Sequence, residues 1–183
     1  MPSESAADAM PVRPTPLRAL GMVLGVIPLI GGYIALCGLL GNAEFYTGFL
    51  FLLCWTGFEH GRLARLPHAA LGSALGLALG LALKLFVGGP LGIAGGYLFG
   101  VLALAVVWLH ILGRASWAVN FSCMTFLATI TIPHVQMHGD FGEMAVALLL
   151  GIAYFGLVLG AIERAGARRS GISGDRRGVP ADV

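Results

Sequence analysis

Four polar side chains stand close together in an otherwise apolar stretch around residue 120, namely Asn120, Ser122, Thr125 and Thr129. Ser122, Thr125 and Thr129 would share one face of a helix, because residues three or four apart recur on the same side. In a membrane, such a stripe either lines a route for a polar solute or bonds to a neighbouring helix or to its own backbone. The Asn120 amide needs more partners than its own backbone supplies, so we expect it to face another polar group or a cavity.

Glu59 and His60 form a second pair that could do chemistry, since His titrates near neutral pH. One interpretation makes them a proton-handling pair near a cytoplasmic mouth. The other makes Glu59 an interfacial anchor that pairs with Arg62 or Arg65, because charged residues at helix ends usually have this role.

His134 and His138 are four residues apart with Asp140 beyond them, and this spacing suits a metal ion when it lies on a helix. Pro133 and Gly139 favour a short loop instead, and no third ligand is assured. The pair is therefore a weak metal site, and we expect no metal or other cofactor. Common hydrolase, phosphate-loop and dinucleotide motifs are also absent from the sequence, so an enzyme is disfavoured. A membrane metalloenzyme that uses His134 and His138 is the third interpretation.

The composition is typical of a membrane protein. The chain has 183 residues, of which 57% are hydrophobic and 11% are charged, and its mean hydropathy is +0.87. Soluble domains carry about 25% charged residues, so a polytopic membrane protein is favoured. The basic residues are too scattered for a nucleic-acid surface, so we expect the lipid bilayer, and no nucleic acid, as a partner.

Six apolar blocks predict an all-α bundle of six transmembrane helices, over residues 17–40, 45–60, 68–87, 91–112, 116–133 and 142–163. The second and fifth blocks are shorter than the roughly 20 residues that cross a bilayer, so either could be re-entrant. The polar end segments, 1–16 and the basic 164–183, are predicted to be disordered tails.

The distribution of Lys and Arg predicts the orientation in the membrane. With six spans and a cytoplasmic N-terminus, ten of the 11 Lys and Arg residues lie on the cytoplasmic side, whereas the other side holds Lys84 with Glu44, Asp140 and Glu143. A re-entrant second block would move Arg62 outside and break this bias. We therefore expect six spans with both ends in the cytoplasm.

Two runs of glycine are spaced by four residues, so each run lies on one helix face. They are Gly72, Gly76 and Gly80 in the third block and Gly92, Gly96 and Gly100 in the fourth. Helices in lipid associate through close backbone contact, which such runs allow. The runs predict tight packing within the bundle or, alternatively, a seam between copies in a homo-oligomer.

A sequence match between the two halves suggests a 3+3 inverted repeat. Pro28-Leu29-Ile30-Gly31-Gly32-Tyr33 in the first block matches the segment from Pro90 to Tyr97 at the fourth block. Three spans per half would invert the halves, as in many small transporters and channels, and would place the two short blocks beside a central axis. Gly-rich and Leu-rich chains also produce such matches by chance, so the repeat is a hypothesis.

A run from Asn120 to Thr129, a short loop with Gly139-Asp140, and a last helix with Leu148 to Gly151 and Gly156 to Gly160 resemble one bacterial family. Together with Gly48-Phe49-Leu50 and Cys54, this pattern is similar to the small inner-membrane proteins of domain-of-unknown-function family 1097, over residues 20–163. Members tend to have Pro near the start of the fifth segment, where this chain has Ala118 and Val119. The resemblance implies a bacterial inner-membrane protein without an established activity, and it supplies no catalytic residues.

These observations predict a small channel or transporter for a small polar solute. Asn120, Ser122, Thr125 and Thr129 would line its path, with Glu59 and His60 near its inner mouth. The alternative is a non-transporting scaffold or partner subunit, in which these polar groups satisfy one another.

Overall fold

The computed structural model describes residues 16–174, and every regular element in this range is helical. The all-α prediction is therefore confirmed for the described part of the chain. Seven α-helices and one 3-10 turn follow in this order: α1 Pro16–Leu39, α2 Tyr46–Phe58, the turn Leu63–Arg65, α3 Leu66–Gly88, α4 Gly92–Ile111, α5 Phe121–Ile130, α6 Pro133–His138 and α7 Phe141–Gly174. Of the predicted tails, residues 1–15 and 175–183 lie outside the described range.

Three helical segments are long and apolar enough to cross a membrane, namely Leu63–Gly88, Gly92–Ile111 and Phe141–Ala165. Shorter apolar helices occupy the first, second and fifth predicted blocks, at Leu24–Leu39, Tyr46–Phe58 and Phe121–Ile130. Large apolar side chains of α4 face outward, since Ile93 is 82% exposed and Ile111 is 76% exposed. These features indicate a membrane location, because such a surface is stable against lipid rather than water.

The fifth predicted block, 116–133, holds a shorter helix than expected. The backbone at Gly113 and Ala115 takes positive φ angles of 64° and 59°, so the chain turns before α5. Asn120 then caps α5 from an extended conformation. Pro133 begins α6 where a loop was predicted, because proline suits the first turn of a helix.

The last helix also differs from the prediction. α7 continues through Gly174, well into the segment predicted as a disordered tail from residue 164. The sequence between Ala161 and Arg169 contains Ala, Glu and Arg, which are good helix formers. The helix therefore extends beyond its apolar part.

α3 lies at the centre of the bundle and packs against α4, α5 and α7, while α2 packs mainly against α7. The largest core cluster contains the fully buried rings of Tyr33, Trp55, Phe126 and Phe155. The Tyr33 hydroxyl donates to the Ala147 carbonyl at 2.9 Å, which attaches α1 to α7. The core therefore joins elements from both halves of the chain.

One end of the bundle, which we call the acidic end, is closed by hydrogen bonds between two loops. The Asn42 amide donates to the Glu143 carbonyl at 2.8 Å, and the Asp140 N–H donates to the Glu44 carboxylate at 3.1 Å. The Lys84 ammonium at the end of α3 donates to the Gly139 carbonyl at 3.0 Å. The α1–α2 loop, the end of α3 and the α6–α7 loop therefore lie together.

The opposite end, which we call the basic end, is defined by Arg62, Arg65 and Arg114. The Asn120 amide donates to the His68 carbonyl at 2.6 Å, so the starts of α3 and α5 meet there. A ring nitrogen of His110 lies 3.2 Å from the Val119 carbonyl and ties the end of α4 to the same region. The described loops that carry Glu44, Asp140 and Glu143 therefore lie at the opposite end of the bundle from Arg62, Arg65 and Arg114.

The two halves of the chain repeat one order of elements: a long helix, a short helix, a turn or mini-helix, and a second long helix. α2 begins at Tyr46 and α5 at Phe121, 75 residues later; α3 begins at Leu66 and α7 at Phe141, also 75 residues later. We call two residues equivalent when they differ by this spacing. α3 packs on α5 of the other half, and α7 packs on α2 in the corresponding way.

Equivalent residues also make equivalent contacts. A Cβ atom at Gly76 in α3 would lie 2.7 Å from the Cys123 carbonyl oxygen of α5. A Cβ atom at Gly151 in α7 would lie 3.2 Å from the Gly48 carbonyl oxygen of α2. Gly76 is equivalent to Gly151, and Gly48 to Cys123, so each long helix meets the short helix of the other half in the same register.

This correspondence is not the one that the sequence match suggested. Pro28 lies in the interior of α1, whereas Pro90 precedes α4. The matched Pro-to-Tyr segments therefore occupy different parts of their helices. Tyr33 is fully buried and Tyr97 is 75% exposed, which shows that the two segments have different environments.

Candidate functional site

Asn120 has a structural role at the basic end. Its side-chain oxygen accepts the Cys123 N–H at 3.1 Å and caps α5, while its amide nitrogen donates to the His68 carbonyl of α3. A Cβ atom at Gly72 would collide with this amide, so the absence of a side chain there admits Asn120. Asn120 faces another polar group, as its chemistry predicted, and the partners are backbone groups.

The hydroxyl stripe of α5 is turned mainly toward its own helix. Thr125 donates to the Phe121 carbonyl and Thr129 donates to the Thr125 carbonyl, both at 2.9 Å. Ser122 is 2% exposed. The two threonine hydroxyls therefore bond to the backbone of their own helix, which is one of the two alternatives that the sequence leaves open for this stripe.

Glu59 and His60 have different surroundings. Glu59 ends α2, and its carboxylate lies 3.9 Å from the Arg65 guanidinium, the one ion pair that the described residues contain. His60 is exposed, with a positive φ of 52°. The anchor interpretation therefore accounts for Glu59, whereas His60 lines a cleft described below.

His134 and His138 do lie on a helix, α6, with ring centroids 4.6 Å apart. A ring nitrogen of His138 lies 3.2 Å from the His134 carbonyl, so backbone already engages one of the rings. In the described part of the chain, no three metal-ligating side chains come together. A third protein ligand for this pair is therefore not in place.

The two glycine runs have different surroundings. Gly76 and Gly80 of α3 meet Phe126 and Ile130 of α5, so the first run allows these helices to touch. A Cβ atom at Gly92 or Gly100 of α4 would have no described atom within 4 Å, and one at Gly96 would meet only a Val87 methyl at 3.9 Å. The glycine that brings α4 close to α3 is Gly95, which meets the Phe86 carbonyl.

Two buried polar atoms, Ser73 Oγ and His68 Nδ1, have no hydrogen-bond partner among the described residues. Ser73 is fully buried in α3, on the face that also carries Ala69 and Leu77 of the core. Its equivalent in α7 is the apolar Leu148. A buried hydroxyl without a hydrogen-bond partner lowers the free energy of unfolding, so Ser73 is a locally destabilising residue.

A cleft of about 400 Å³ opens at the basic end, beside the end of α2. Its lining combines one arginine, one histidine and one carboxylate with apolar side chains of α7: Thr56, His60, Gly61, Arg62, Leu159, Ile162 and Glu163. The Trp55 indole donates to the Arg62 carbonyl at 3.1 Å and holds the Arg62 backbone in place. We call this space the basic-end cleft.

A second cleft, of about 470 Å³, opens at the acidic end, between the end of α3 and α6. It is lined by Leu83, Lys84, Val87, Gly88, Thr131, Pro133, Gln136 and Met137. The Gln136 amide donates to the Gly80 and Ile130 carbonyls at 3.0 and 2.7 Å, which joins α6 to both helices. We call this space the acidic-end cleft.

The two clefts are equivalent to each other. Six lining residues of one differ by 75 from lining residues of the other: Thr56 and Thr131, Gly61 and Gln136, Arg62 and Met137, Lys84 and Leu159, Val87 and Ile162, Gly88 and Glu163. Sequence reasoning identified only His60 among the basic-end lining residues as a site residue. The signal that could have revealed the clefts is the regular spacing of the helices in the two halves.

No protein-family model, curated protein or solved structure matches the chain.

Proposed function

We propose that the chain is a six-span bacterial inner-membrane protein, built as a 3+3 inverted repeat, and that it forms a path for a small polar solute. Both termini lie in the cytoplasm in this proposal. The charge distribution supports the orientation, since the basic loops face the cytoplasm under the positive-inside rule. Membership in domain-of-unknown-function family 1097 is part of the proposal and rests on the residue pattern alone.

The observation that carries the proposal is the pair of equivalent clefts at opposite ends of one bundle. Transporters with inverted repeats place related sites on either side of a pseudo-twofold axis in the membrane plane. The exchange of partners between halves, with α3 on α5 and α7 on α2, is the arrangement such an axis generates. Each cleft would then serve as the vestibule for one side of the membrane.

The lengths of α2 and α5 explain why vestibules form. The 13 residues of α2 and the 10 residues of α5 extend about 20 and 15 Å, against a hydrocarbon core of about 30 Å. Their ends therefore fall short of the neighbouring long helices. Each cleft lies beside one such end, and the intervening path would follow the contact between α2 and α5.

Flux through the clefts can be tested with proteoliposomes in stopped-flow light scattering, using urea and glycerol as probes. The native chain should relax faster than empty liposomes, while Thr56→Trp and Thr131→Trp, which fill one cleft each, should remove this difference. Leu157→Trp is the matched control, since Leu157 is 73% exposed on α7. Fast relaxation in both cleft variants would contradict the proposal, and so would a native chain that passes neither these neutral solutes nor small anions.

A second candidate is the non-transporting scaffold or partner subunit. It is favoured by the hydrogen bonding of Asn120, Thr125 and Thr129, all of which bond to backbone groups. The second glycine run on α4 would then contact another copy or another protein. Proteoliposomes that pass none of the probes, combined with a smaller oligomer for Gly96→Leu in detergent, would favour this function.

A further inference from the structure

The two equivalent clefts each contain one Lys or Arg, but at positions that are not equivalent. In the acidic-end cleft the cation is Lys84 of α3, and the equivalent position in the other cleft is Leu159. In the basic-end cleft the cation is Arg62, and its equivalent is Met137. The repeat itself therefore does not account for the cations, because both come from the first half of the chain and lie on different walls of their clefts.

Lys84 is the more informative of the two, since it is half-buried near the end of an apolar helix. Its ammonium donates to the Gly139 carbonyl and lies 5.1 Å from the centre of the Phe141 ring. Charged groups inside a membrane segment are costly and commonly mark solute pathways. The residues that line this cleft include no carboxylate.

The carboxylates elsewhere at the acidic end are engaged by backbone N–H groups. Glu143 accepts from Ala43, Glu44 accepts from Asp140, and Asp140 accepts from Gly142, at 2.8 to 3.1 Å. These bonds join the loops and hold the acids to the backbone. These bonds leave the carboxylates charged, and Asp140 lines an adjoining space together with Lys84. The Lys84 ammonium has three N–H donors and one described hydrogen bond, to Gly139, so it keeps donors for a solute that enters the cleft.

Arg62 has a comparable position at the other end. Its side chain is exposed in the basic-end cleft, while the neighbouring Arg65 lies near Glu59. Glu163 lines the same cleft and offsets part of the positive charge. Each cleft therefore holds one cation with a carboxylate in or beside the cleft.

We propose that the solute is a small anion, received by Lys84 at the acidic end and by Arg62 at the basic end. This inference rests on the proposed transport function and names the class of its solute. A cation on an apolar wall replaces part of the hydration of an anion and repels inorganic cations. Volumes of about 400 and 470 Å³ accommodate a solute the size of a short carboxylate.

The test measures anion permeability of proteoliposomes loaded with potassium salts of chloride, formate and acetate, with valinomycin present to carry K⁺. The native chain is compared with Lys84→Leu and Arg62→Met, which install the residues found at the equivalent positions. Lys84→Arg keeps the charge, and Arg114→Met removes a charge outside both clefts. Urea flux is measured on the same preparations, and thermal unfolding in detergent confirms that each variant is folded.

We expect passage of at least one of the three anions. Lys84→Leu should lower it about tenfold, because a hydrogen bond between a charged group and the solute is lost. Arg62→Met should also lower it, and Lys84→Arg and Arg114→Met should behave like the native chain. If Lys84→Leu does not fold, Arg62→Met is compared with Arg114→Met, and lower anion passage in Arg62→Met alone supports the inference.

Four results would overturn the inference. If urea passes but none of the three anions does, the solute is not a small anion, whereas the proposed transport function is retained. If anion passage is unchanged in both Lys84→Leu and Arg62→Met, the cations of the two clefts do not receive the anion. If phosphatidylglycerol raises the melting temperature of the native chain without any added anion, and Lys84→Leu loses this effect, Lys84 binds a lipid headgroup instead. If neither urea nor any of the three anions passes, the transport function itself is contradicted.

Discussion

The first half of the described chain and the second half share packing positions but differ at several polar ones. Gly76 and Gly151 hold equivalent positions on α3 and α7, and each lets its helix approach a carbonyl of the opposite short helix. By contrast, Asn120 caps α5, while its equivalent Phe45 precedes α2 without a side-chain hydrogen bond. The architecture therefore depends on small residues at a few contacts, and the polar groups differentiate the two halves.

The largest effect is expected at the shared packing position. Gly76→Leu would push a side chain into the Cys123 carbonyl and Phe126, separate α3 from α5 and destabilise the bundle by more than about 3 kcal/mol. Gly151→Leu should have a comparable effect. Thermal unfolding in detergent, with Gly100→Leu as the control at an open position, measures both. A melting temperature for Gly76→Leu equal to that of the control would contradict the shared register.

A smaller effect is expected where the halves differ in capping. Asn120→Ala removes the α5 cap and the bond to the His68 carbonyl, and should cost about 2 kcal/mol. Asn120→Ser keeps a capping oxygen but loses the bond to α3, so its melting temperature should fall between those of Asn120→Ala and the native chain. Equal stability of all three proteins would show that the amide has no structural role and would return Asn120 to the solute path.

The smallest effect is expected at the unpaired hydroxyl. Ser73→Ala removes a fully buried group without a described partner, so it should be neutral or stabilise the protein by up to about 1 kcal/mol. Ala70→Ser, at a partly buried position of the same helix, is the control and should not be stabilising. A clear loss of stability in Ser73→Ala would mean that the hydroxyl has a partner in the membrane.

Hydropathy alone located the main helices, because each apolar block in the described range contains one helix. It missed the start of α5, which depends on a cap at Asn120 and on positive φ angles at Gly113 and Ala115. It also missed α6, where Pro133 starts a helix and Gly139 follows its end. Local hydrogen bonds of this kind do not change the hydropathy profile.

The candidate site was harder to predict than the fold. Reasoning from polarity selected the hydroxyls of α5, two of which turn out to bond to their own helix. The clefts are lined largely by apolar residues such as Leu159 and Val87, which carry no chemical signal in a sequence of this composition. Lys84 was noted for the orientation it implied, whereas its place in a cleft depends on how α3 packs beside α6.

In the proposed arrangement two equivalent clefts open on opposite faces of the membrane, and labelling of a matched pair of cysteines tests this most directly. Arg62→Cys and Met137→Cys place a thiol at equivalent, exposed positions, while the native Cys37, Cys54 and Cys123 are buried. In intact cells, a membrane-impermeant maleimide should label Met137→Cys at once and Arg62→Cys only after permeabilisation. Labelling of both cysteines from the same side would contradict the inverted arrangement.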